Sequence, residues 1–596
     1  MDQTILIGEI SLTSDWLFQM TSISIRIAGA HGDGVESSGA LIIKVAARIG
    51  LHVVAYRGYG SIIRGGHCWY QVRIGDSQLR SYGEGIDILI AINQDAIENQ
   101  KSHLNDKAVV IYDPSKVKVD SLDAGKYKLV PIPLLDIAVA ASGDPIMRNT
   151  VALGAALKFI GIDIAVFNDV LKGQFGRKGD NVVAQNIKAA TGGYNYMGVQ
   201  TLYTLKGDGK HRYALDGNTA LSVGAYAAGC KFYSAYPMTP ASSILHWFAS
   251  HEDKGVMPKQ VEDEIAAINM AIGASSAGVR AMCGTSGGGF SLMVEGLGLA
   301  GMLETPLVVV ESQRSGPSTG VPTKTEQGDI LFVMHASQGE FPRIVVAPRS
   351  IDESFKLTAD AFNLADKYQL PVIVMMDLYL SEHVETVEGF DVDGVSIDRG
   401  KIVTENADGG RFKRYLITDD GVSPRAFPGS KGLEFVAGSD EHNELGDLVT
   451  DMYAGLDWAI DVRSKMHSKR MRKIETMLKN EKIFVPEVLN DGADYFLVTF
   501  GSTTGPALDA IDILKSKGKN FGLISFNYLM PLDKEKTKNM LQGKKLINVE
   551  GNYTGQLAQM IRMNTGIEIT KSILKYDGEA FTAEGIANEA IALTNK

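Results

Sequence analysis

The chain has 596 residues, more than one hydrophobic core serves, and at 45% hydrophobic and 22% charged its composition is that of an ordinary soluble globular protein. A net charge of −11 argues against nucleic-acid binding, and no apolar run is long enough to span a bilayer. Three scattered cysteines, Cys68, Cys230 and Cys283, supply neither a disulfide framework nor the thiolates of a normal iron–sulfur cluster.

Met1 to Met20 lack a basic leader segment, so a cytoplasmic protein is expected. The first strand is Ser22 to Ala28, β-branched and apolar. A glycine-rich turn, Gly29 to Gly34, leads into a helix with Leu41, Ile42, Val45, Ala46 and Ile49 at helical spacing. Further strands are His52 to Tyr56, Asp87 to Asn93 and Ala108 to Tyr112. Alternating strands and helices predict a mostly parallel sheet over a domain spanning residues 22–200.

A polar stretch, Lys206 to Asn218, separates this from a second α/β domain at 213–395. Its strands are expected at Cys230 to Ala235, Gly278 to Cys283, Pro306 to Ser312, Arg343 to Ala347 and Pro371 to Asp377. Residues 396–490 are polar, carry few strand signals and read as a linker segment ending in a charged helical stretch, Leu448 to Lys479. A third α/β unit covers 491–596, with strands at Tyr495 to Phe500, Gly522 to Phe526 and Lys545 to Glu550.

Four segments carry chemistry. Tyr236-Pro237-Met238-Thr239-Pro240 follows a strand and precedes a helix at Ala241 to His251; its prolines stiffen the connector and leave the Thr239 hydroxyl available to a ligand. Glu262-Asp263-Glu264 opens a run of small and apolar residues, Ile265 to Ala277. First-turn carboxylates complement the helix dipole, and one at the edge of an Ala/Gly-lined helix can also meet a flat heterocycle. Gly284-Thr285-Ser286-Gly287-Gly288-Gly289 brings hydroxyls and backbone N–H groups to a helix start. Arg314 leaves a strand end on a Gly/Pro loop, where a guanidinium can hold a carboxylate bidentately.

These segments resemble the 2-oxoacid:ferredoxin oxidoreductases. YPMTP, Glu262 to Ala281, Gly284 to Gly298 and Gln313 to Asp329 resemble the α portion of that family, with Met238 where its YPITP motif has Ile. Residues 22–200, including Arg64-Gly65-Gly66-His67, resemble the γ portion, with His31 where that pattern usually has Gly. Asp420 to Ser430, Gly438 to Asp447 and Val549 to Ala558 extend the likeness to the C-terminus. The γ-then-α order is similar to the fused large subunit of archaeal-type two-subunit enzymes.

The resemblance implies a multidomain α/β chain: a γ-type domain, a thiamine diphosphate pyrimidine-binding domain and a C-terminal transketolase-like domain. It implies CoA-dependent oxidative decarboxylation of a 2-oxoacid, pyruvate or 2-oxoglutarate among them, with electrons passed to ferredoxin. Thiamine diphosphate is shared with a smaller β subunit that carries Mg²⁺ and a [4Fe–4S] cluster, in a heterodimer or dimer of heterodimers. GDG opens the metal–diphosphate motif of thiamine diphosphate enzymes, which closes with Asn about 25 to 30 residues later. Gly32-Asp33-Gly34 and Gly207-Asp208-Gly209 have no Asn in that window and read as turns, which agrees with a diphosphate site on another chain. By the resemblance Glu264 contacts N1′ of the aminopyrimidine, Thr285 and Ser286 line the cofactor, Thr239 and Arg314 bind the 2-oxoacid carboxylate, Thr323 lines the pocket and Lys324 meets a distal acidic group. A transketolase or dehydrogenase-complex component, and a non-catalytic scaffold, are the other classes open to such a chain.

Overall fold

The Ile23, Ile25 and Ile27 side chains, each with no exposed surface, anchor the first strand, Ser22–His31, at the middle of a sheet. A computed structural model describes residues 22–62, 65–406 and 409–595 of the chain. The chain divides at Ala214/Leu215 into two units. Met1 to Met20 and Arg64 of the RGGH motif lie outside the described residues.

In the first unit the sheet runs Lys128–Pro131, Leu104–Tyr112, Ile86–Ala91, Ser22–His31, Gly65–Gly75, His52–Gly58. The first four strands are parallel. The other half is antiparallel, which corrects the expectation of a mostly parallel sheet. Gly65–Gly75 causes the difference: it enters through two glycines at φ +78° and +67°, which read as loop, and then pairs along most of its length with both neighbours. Helices Arg148–Phe159 and Asp180–Tyr194 cross closely because Gly154 and Gly193 leave room; a Cβ at either would meet a facing carbonyl at about 2 Å.

Both GDG strings are turns held by arginine. Asp33 accepts from Ala30 N at 3.0 Å and from Arg148 Nη2 at 2.8 Å. Asp208 receives both Arg212 Nη atoms, at 2.9 and 2.8 Å.

The second unit holds two sheets. The larger runs Met257–Gln260, Phe232–Ala235, Ala281–Thr285, Leu307–Gln313, Pro371–Asp377, Ile344–Val346, all parallel. Tyr528–Met530, from the C-terminal part of the chain, closes its edge antiparallel to Ile344–Val346. The smaller sheet runs Glu487–Leu489, Phe521–Phe526, Tyr495–Phe500, Leu546–Glu550, Lys571–Leu574 and is parallel apart from its first strand. One apolar cluster joins Ile268, Phe290, Val309 and Ile373 to Phe496, Val498 and Ile524, so both sheets share a core.

Among the described residues of 396–490, only a short 3₁₀ turn, Thr450–Met452, precedes the helix Asp457–Asn480. That helix buries Lys469 and Lys473 onto the carboxylate of Glu304, which takes Lys469 Nζ at 2.5 Å and Lys473 Nζ at 2.7 Å. The helix reads as polar because Lys469, Arg470 and Lys473 share its buried face with Ala459, Met466 and Met477. Among the described residues no helix is long and apolar enough to cross a membrane.

Candidate active site

In a parallel α/β sheet, ligands meet the loops beyond the C-terminal strand ends, where helix N-termini converge. Three adjacent strands of the larger sheet end this way. Phe232–Ala235 runs into Tyr236-Pro237-Met238-Thr239-Pro240, Ala281–Thr285 into Ser286, and Leu307–Gln313 into Arg314.

The YPMTP connector is pinned from below. Asn218, fully buried, donates from Nδ2 to the Pro240 carbonyl and to Ser243 Oγ, both at 2.8 Å. Tyr236 stays exposed, and Thr239 is half-buried with no hydrogen bond to its hydroxyl among the described residues. Arg314 Nη1 donates to the Thr239 carbonyl at 2.8 Å. Partial burial lowers the Arg314 pKa, although a guanidinium stays charged at any working pH.

Glu264 is the first residue of the helix Glu264–Ser276, whose N-cap, Asp263, accepts from Ala266 N at 2.8 Å. Asp263 therefore does the capping. Glu264, 3% exposed, turns inward, where Oε1 accepts from Thr285 Oγ1 at 3.3 Å. The same hydroxyl lies 3.7 Å from Met238 Sδ. The contacts thus run from Arg314 to Thr239, along the backbone to Met238, and through Thr285 to Glu264.

The helix Gly287–Leu303 starts over this group. A Cβ on Gly289 would stand 2.1 Å from Thr285 Oγ1 and 2.2 Å from Glu264 Oε1, so glycine alone lets the helix pass over the carboxylate. Ser286, fully buried at the N-cap, has a hydroxyl with no partner among the described residues. A buried carboxylate, an orphaned buried hydroxyl and a bare glycine edge fit the flat, hydrogen-bonding aminopyrimidine half of thiamine diphosphate.

Thr323 and Lys324 belong to a tight loop after Arg314. Ser315 N donates to the Lys324 carbonyl at 2.9 Å, and Val321 N to the Ser315 carbonyl at 3.0 Å. Thr323 is buried within it. Lys324 is not joined to Thr239 or Arg314; its ammonium forms an ion pair with Glu579.

Residue-by-residue reading overlooked two carboxyls here. Glu311 is fully buried in the strand Leu307–Gln313; burial and then the neighbouring Asp329 push its pKa well above the ordinary carboxylate range. Asp329 is pushed up to about 6 by burial and then by Glu326, while a hydrogen bond with Glu311 pulls it back. Asp329 Oδ2 lies 2.6 Å from where a Cβ on Gly287 would be, under the same helix start. The signal was an acidic residue inside an otherwise apolar strand, LVVVESQ. Gln327 ties this loop to the segment Val549 to Ala558: its N–H donates to the Gly551 carbonyl at 2.6 Å, and its carbonyl accepts from Asn552 Nδ2 at 2.9 Å.

Sequence comparison places these residues in known company. Residues 24–196 match the family described as pyruvate ferredoxin/flavodoxin oxidoreductase, and 223–454 the thiamine diphosphate-binding portion of pyruvate flavodoxin/ferredoxin oxidoreductase. Residues 493–586 match core domain II of pyruvate:ferredoxin oxidoreductase. The 2-oxoacid:ferredoxin oxidoreductase subunit alpha of a Sulfolobus species is 34% identical, over 96% of each chain. The 2-oxoglutarate oxidoreductase subunit KorA of Mycobacterium tuberculosis is 29% identical, over 95% of this chain and 91% of its own. The solved 2-oxoglutarate:ferredoxin oxidoreductase of Magnetococcus marinus, with 2-oxoglutarate, coenzyme A and succinyl-CoA bound, superposes with a TM-score of 0.88 at 33% identity, over 96% of this chain and all of that one. With this likeness running nearly end to end, the chain belongs to the 2-oxoacid:ferredoxin oxidoreductase family, among its α subunits.

Proposed function

We propose that this chain, with a smaller partner subunit, converts a 2-oxoacid, CoA and oxidised ferredoxin into an acyl-CoA, CO₂ and reduced ferredoxin. The observation that carries the reading is the contact chain from Arg314 through Thr239, Met238 and Thr285 to the buried carboxylate of Glu264. It joins an oxoacid clamp to a cofactor-facing acid on one strand-end layer.

The carbanion chemistry at the keto carbon and the loss of CO₂ would come from thiamine diphosphate when bound. Glu264 would hold a proton at N1′ of its aminopyrimidine, and Thr285 fixes the carboxyl for that task. Ser286 offers a hydroxyl to the same ring. Arg314 and the Thr239 hydroxyl would take the substrate carboxylate and orient the keto group. Lys324 reaches a distal carboxylate only by giving up Glu579, so short monocarboxylic acids need less rearrangement than 2-oxoglutarate.

Mg²⁺, the diphosphate site and a [4Fe–4S] cluster are assigned to the partner, in a heterodimer or a dimer of heterodimers. The outer faces of the two site helices support a partner there: Ile265, Met270 and Leu292 are exposed by 50%, 40% and 49%. A bare row of large apolar side chains beside Glu264 suits burial under another chain. We assign the domains as 22–200, 213–395, 396–490 and 491–596; the division at Ala214/Leu215 and the three sheets support this. A cytoplasmic location follows from the same reading.

The test is co-expression with the partner subunit, followed by initial rates of CoA-dependent ferredoxin reduction with pyruvate, 2-oxobutyrate and 2-oxoglutarate. Turnover of at least one acid is expected. An assembled, cofactor-loaded complex that reduces ferredoxin with none of them would refute the proposal.

A further inference from the structure

The smaller sheet has a place where a ligand would ordinarily sit. From Tyr495–Phe500 the chain passes to Phe521–Phe526 on one side and later to Leu546–Glu550 on the other, so the winding reverses between Tyr495–Phe500 and Leu546–Glu550. The helices that follow these two strands lie on opposite faces: Ala507 and Leu514 cluster with Leu497 and Ile547, and Leu557 and Ile561 with Phe496 and Val498. In doubly wound sheets ligands bind in the crevice beyond the strand ends at such a reversal.

Here a side chain of the same chain fills the crevice. Gln327, 2% exposed, enters it from the loop that follows Arg314. Its Nε2 donates to the Phe500 carbonyl at 3.3 Å, and its Oε1 accepts from Gly551 N at 2.9 Å, so the amide bridges the two strand ends. Nε2 also donates to Asp377 Oδ2 at 3.0 Å, at the end of the strand Pro371–Asp377 in the larger sheet. Glycine lines the crevice on both sides: a Cβ on Gly501 would lie 3.0 Å from Nε2, and one on Gly551 3.5 Å from Cγ. Neighbours of Gln327 are tied to the same sheet. Thr325 N donates to the Gly578 carbonyl at 3.1 Å, and Gln556 accepts from Leu331 N at 3.0 Å and donates to the Gly328 carbonyl at 2.5 Å.

The limb that Gln327 anchors is joined to both residues flanking Arg314. Ser315 N donates to the Lys324 carbonyl at 2.9 Å, and Gln313 Oε1 accepts from Asp329 N at 3.1 Å. The loop tip, Gly316 to Val321, is exposed, so the position of Arg314 is set at the base. A side-chain amide suits this place because it donates and accepts from one end, and buried backbone groups left without a partner are costly. We propose that Gln327 is a positioning residue for the 2-oxoacid: it takes the ligand place of the smaller sheet and thereby fixes where the Arg314 guanidinium stands. The proposal rests on the reading of Arg314 as the carboxylate clamp.

The experiment is a double-mutant cycle on the two-subunit complex, with Gln327→Met, Arg314→Ala and the pair, using whichever of pyruvate, 2-oxobutyrate and 2-oxoglutarate turns over fastest. Methionine fills the crevice without the amide's bonds. Gln327→Met should lower kcat/KM for the oxoacid about tenfold, chiefly through KM, and leave the KM for CoA and the thiamine diphosphate content within about twofold of wild type. In the Arg314→Ala background the same substitution should cost less than about twofold, because the group it positions is gone. Gln556→Met, at a half-buried place, cuts a second tie to the same limb and should act in the same direction more weakly, which keeps the proposal testable if Gln327→Met does not assemble. An equal loss in both backgrounds, an equal rise in the KM for CoA, or an unchanged oxoacid KM in Gln327→Met overturns the positioning role, as does an unchanged oxoacid KM in Gln556→Met where Gln327→Met does not assemble. An unchanged kcat/KM in Arg314→Ala alone removes the clamp reading instead, and this proposal with it.

Discussion

Arg314 donates from Nη1 to the backbone carbonyl of Thr239 at 2.8 Å, and so fixes its guanidinium against the connector that presents the Thr239 hydroxyl. The two groups read as substrate-binding are a rigid pair before any substrate arrives. Losing a desolvated charge partner of a bound carboxylate costs about 2–5 kcal/mol. Arg314→Ala should lower kcat/KM by that amount for every 2-oxoacid, and Arg314→Lys should recover little, because an ammonium cannot serve the Thr239 carbonyl and a carboxylate in one plane. Initial-rate measurements decide it; an unchanged kcat/KM for all acids takes Arg314 out of the site.

Glu264→Gln keeps the size and the Thr285 contact but removes the ionisable oxygen. It should lower kcat by about 10²- to 10⁴-fold, the range of general acid–base assistance, with the unfolding midpoint unchanged. A variant turning over at the normal rate would show that the carboxyl only packs the helix start.

Gly289→Ala tests the approach of the helix Gly287–Leu303 to that carboxyl. In an ordinary helix interior alanine is favoured over glycine by about 1 kcal/mol. Here its methyl would collide with Thr285 Oγ1 and Glu264 Oε1, and both side chains are buried, so neither can swing out into solvent. A net loss of about 1–3 kcal/mol of stability is expected, with kcat lowered as Glu264 is displaced. Wild-type activity and a raised melting midpoint would contradict the packing described.

How much of this was legible in the sequence depended on the kind of signal. Apolar runs located the strands at the core of the larger sheet, because a strand buried on both faces must read that way. The connector, Glu264 and Arg314 could be picked out because proline, glycine and charge at strand and helix ends are local features. The strand Gly65–Gly75 was missed because its two leading glycines look like a turn, and Tyr528–Met530 because a three-residue edge strand has no period to detect. Lys324 points to Glu579, 255 positions away, and only the fold could show that. The buried side of Asp457–Asn480 was hidden for the same reason: its lysines are buried by a glutamate 165 residues earlier.

That ion cluster makes its own prediction. Glu304 is the carboxylate that Lys469 and Lys473 share, and all three side chains are essentially without solvent exposure. Glu304→Gln leaves both ammoniums buried without their anion and should destabilise the chain by about 3–5 kcal/mol. Lys473→Met should cost less, because Lys469 still neutralises Glu304 and the thioether fills the stem's space. Denaturant midpoints of the two variants test the order, and a milder Glu304→Gln would contradict it.

The Glu311–Asp329 pair predicts a pH effect of definite sign. Asp329 titrates near 6 in the folded chain against an ordinary value of 3.8. Between those values the native state binds more protons than the unfolded one, so this group's contribution to stability falls as pH rises from about 4 to about 6. Two pKa units correspond to a change on the order of 3 kcal/mol. Asp329→Asn cannot ionise, so it should flatten that part of the stability profile and gain relative to wild type above pH 6. Its amide keeps the size of the carboxyl, so the packing beneath the helix start at Gly287 is retained. Denaturation midpoints of both proteins from pH 4 to 7 give the answer: parallel profiles would mean that Asp329 is already ionised at low pH in the folded chain, and that burial beneath the active-site helix does not hold its proton.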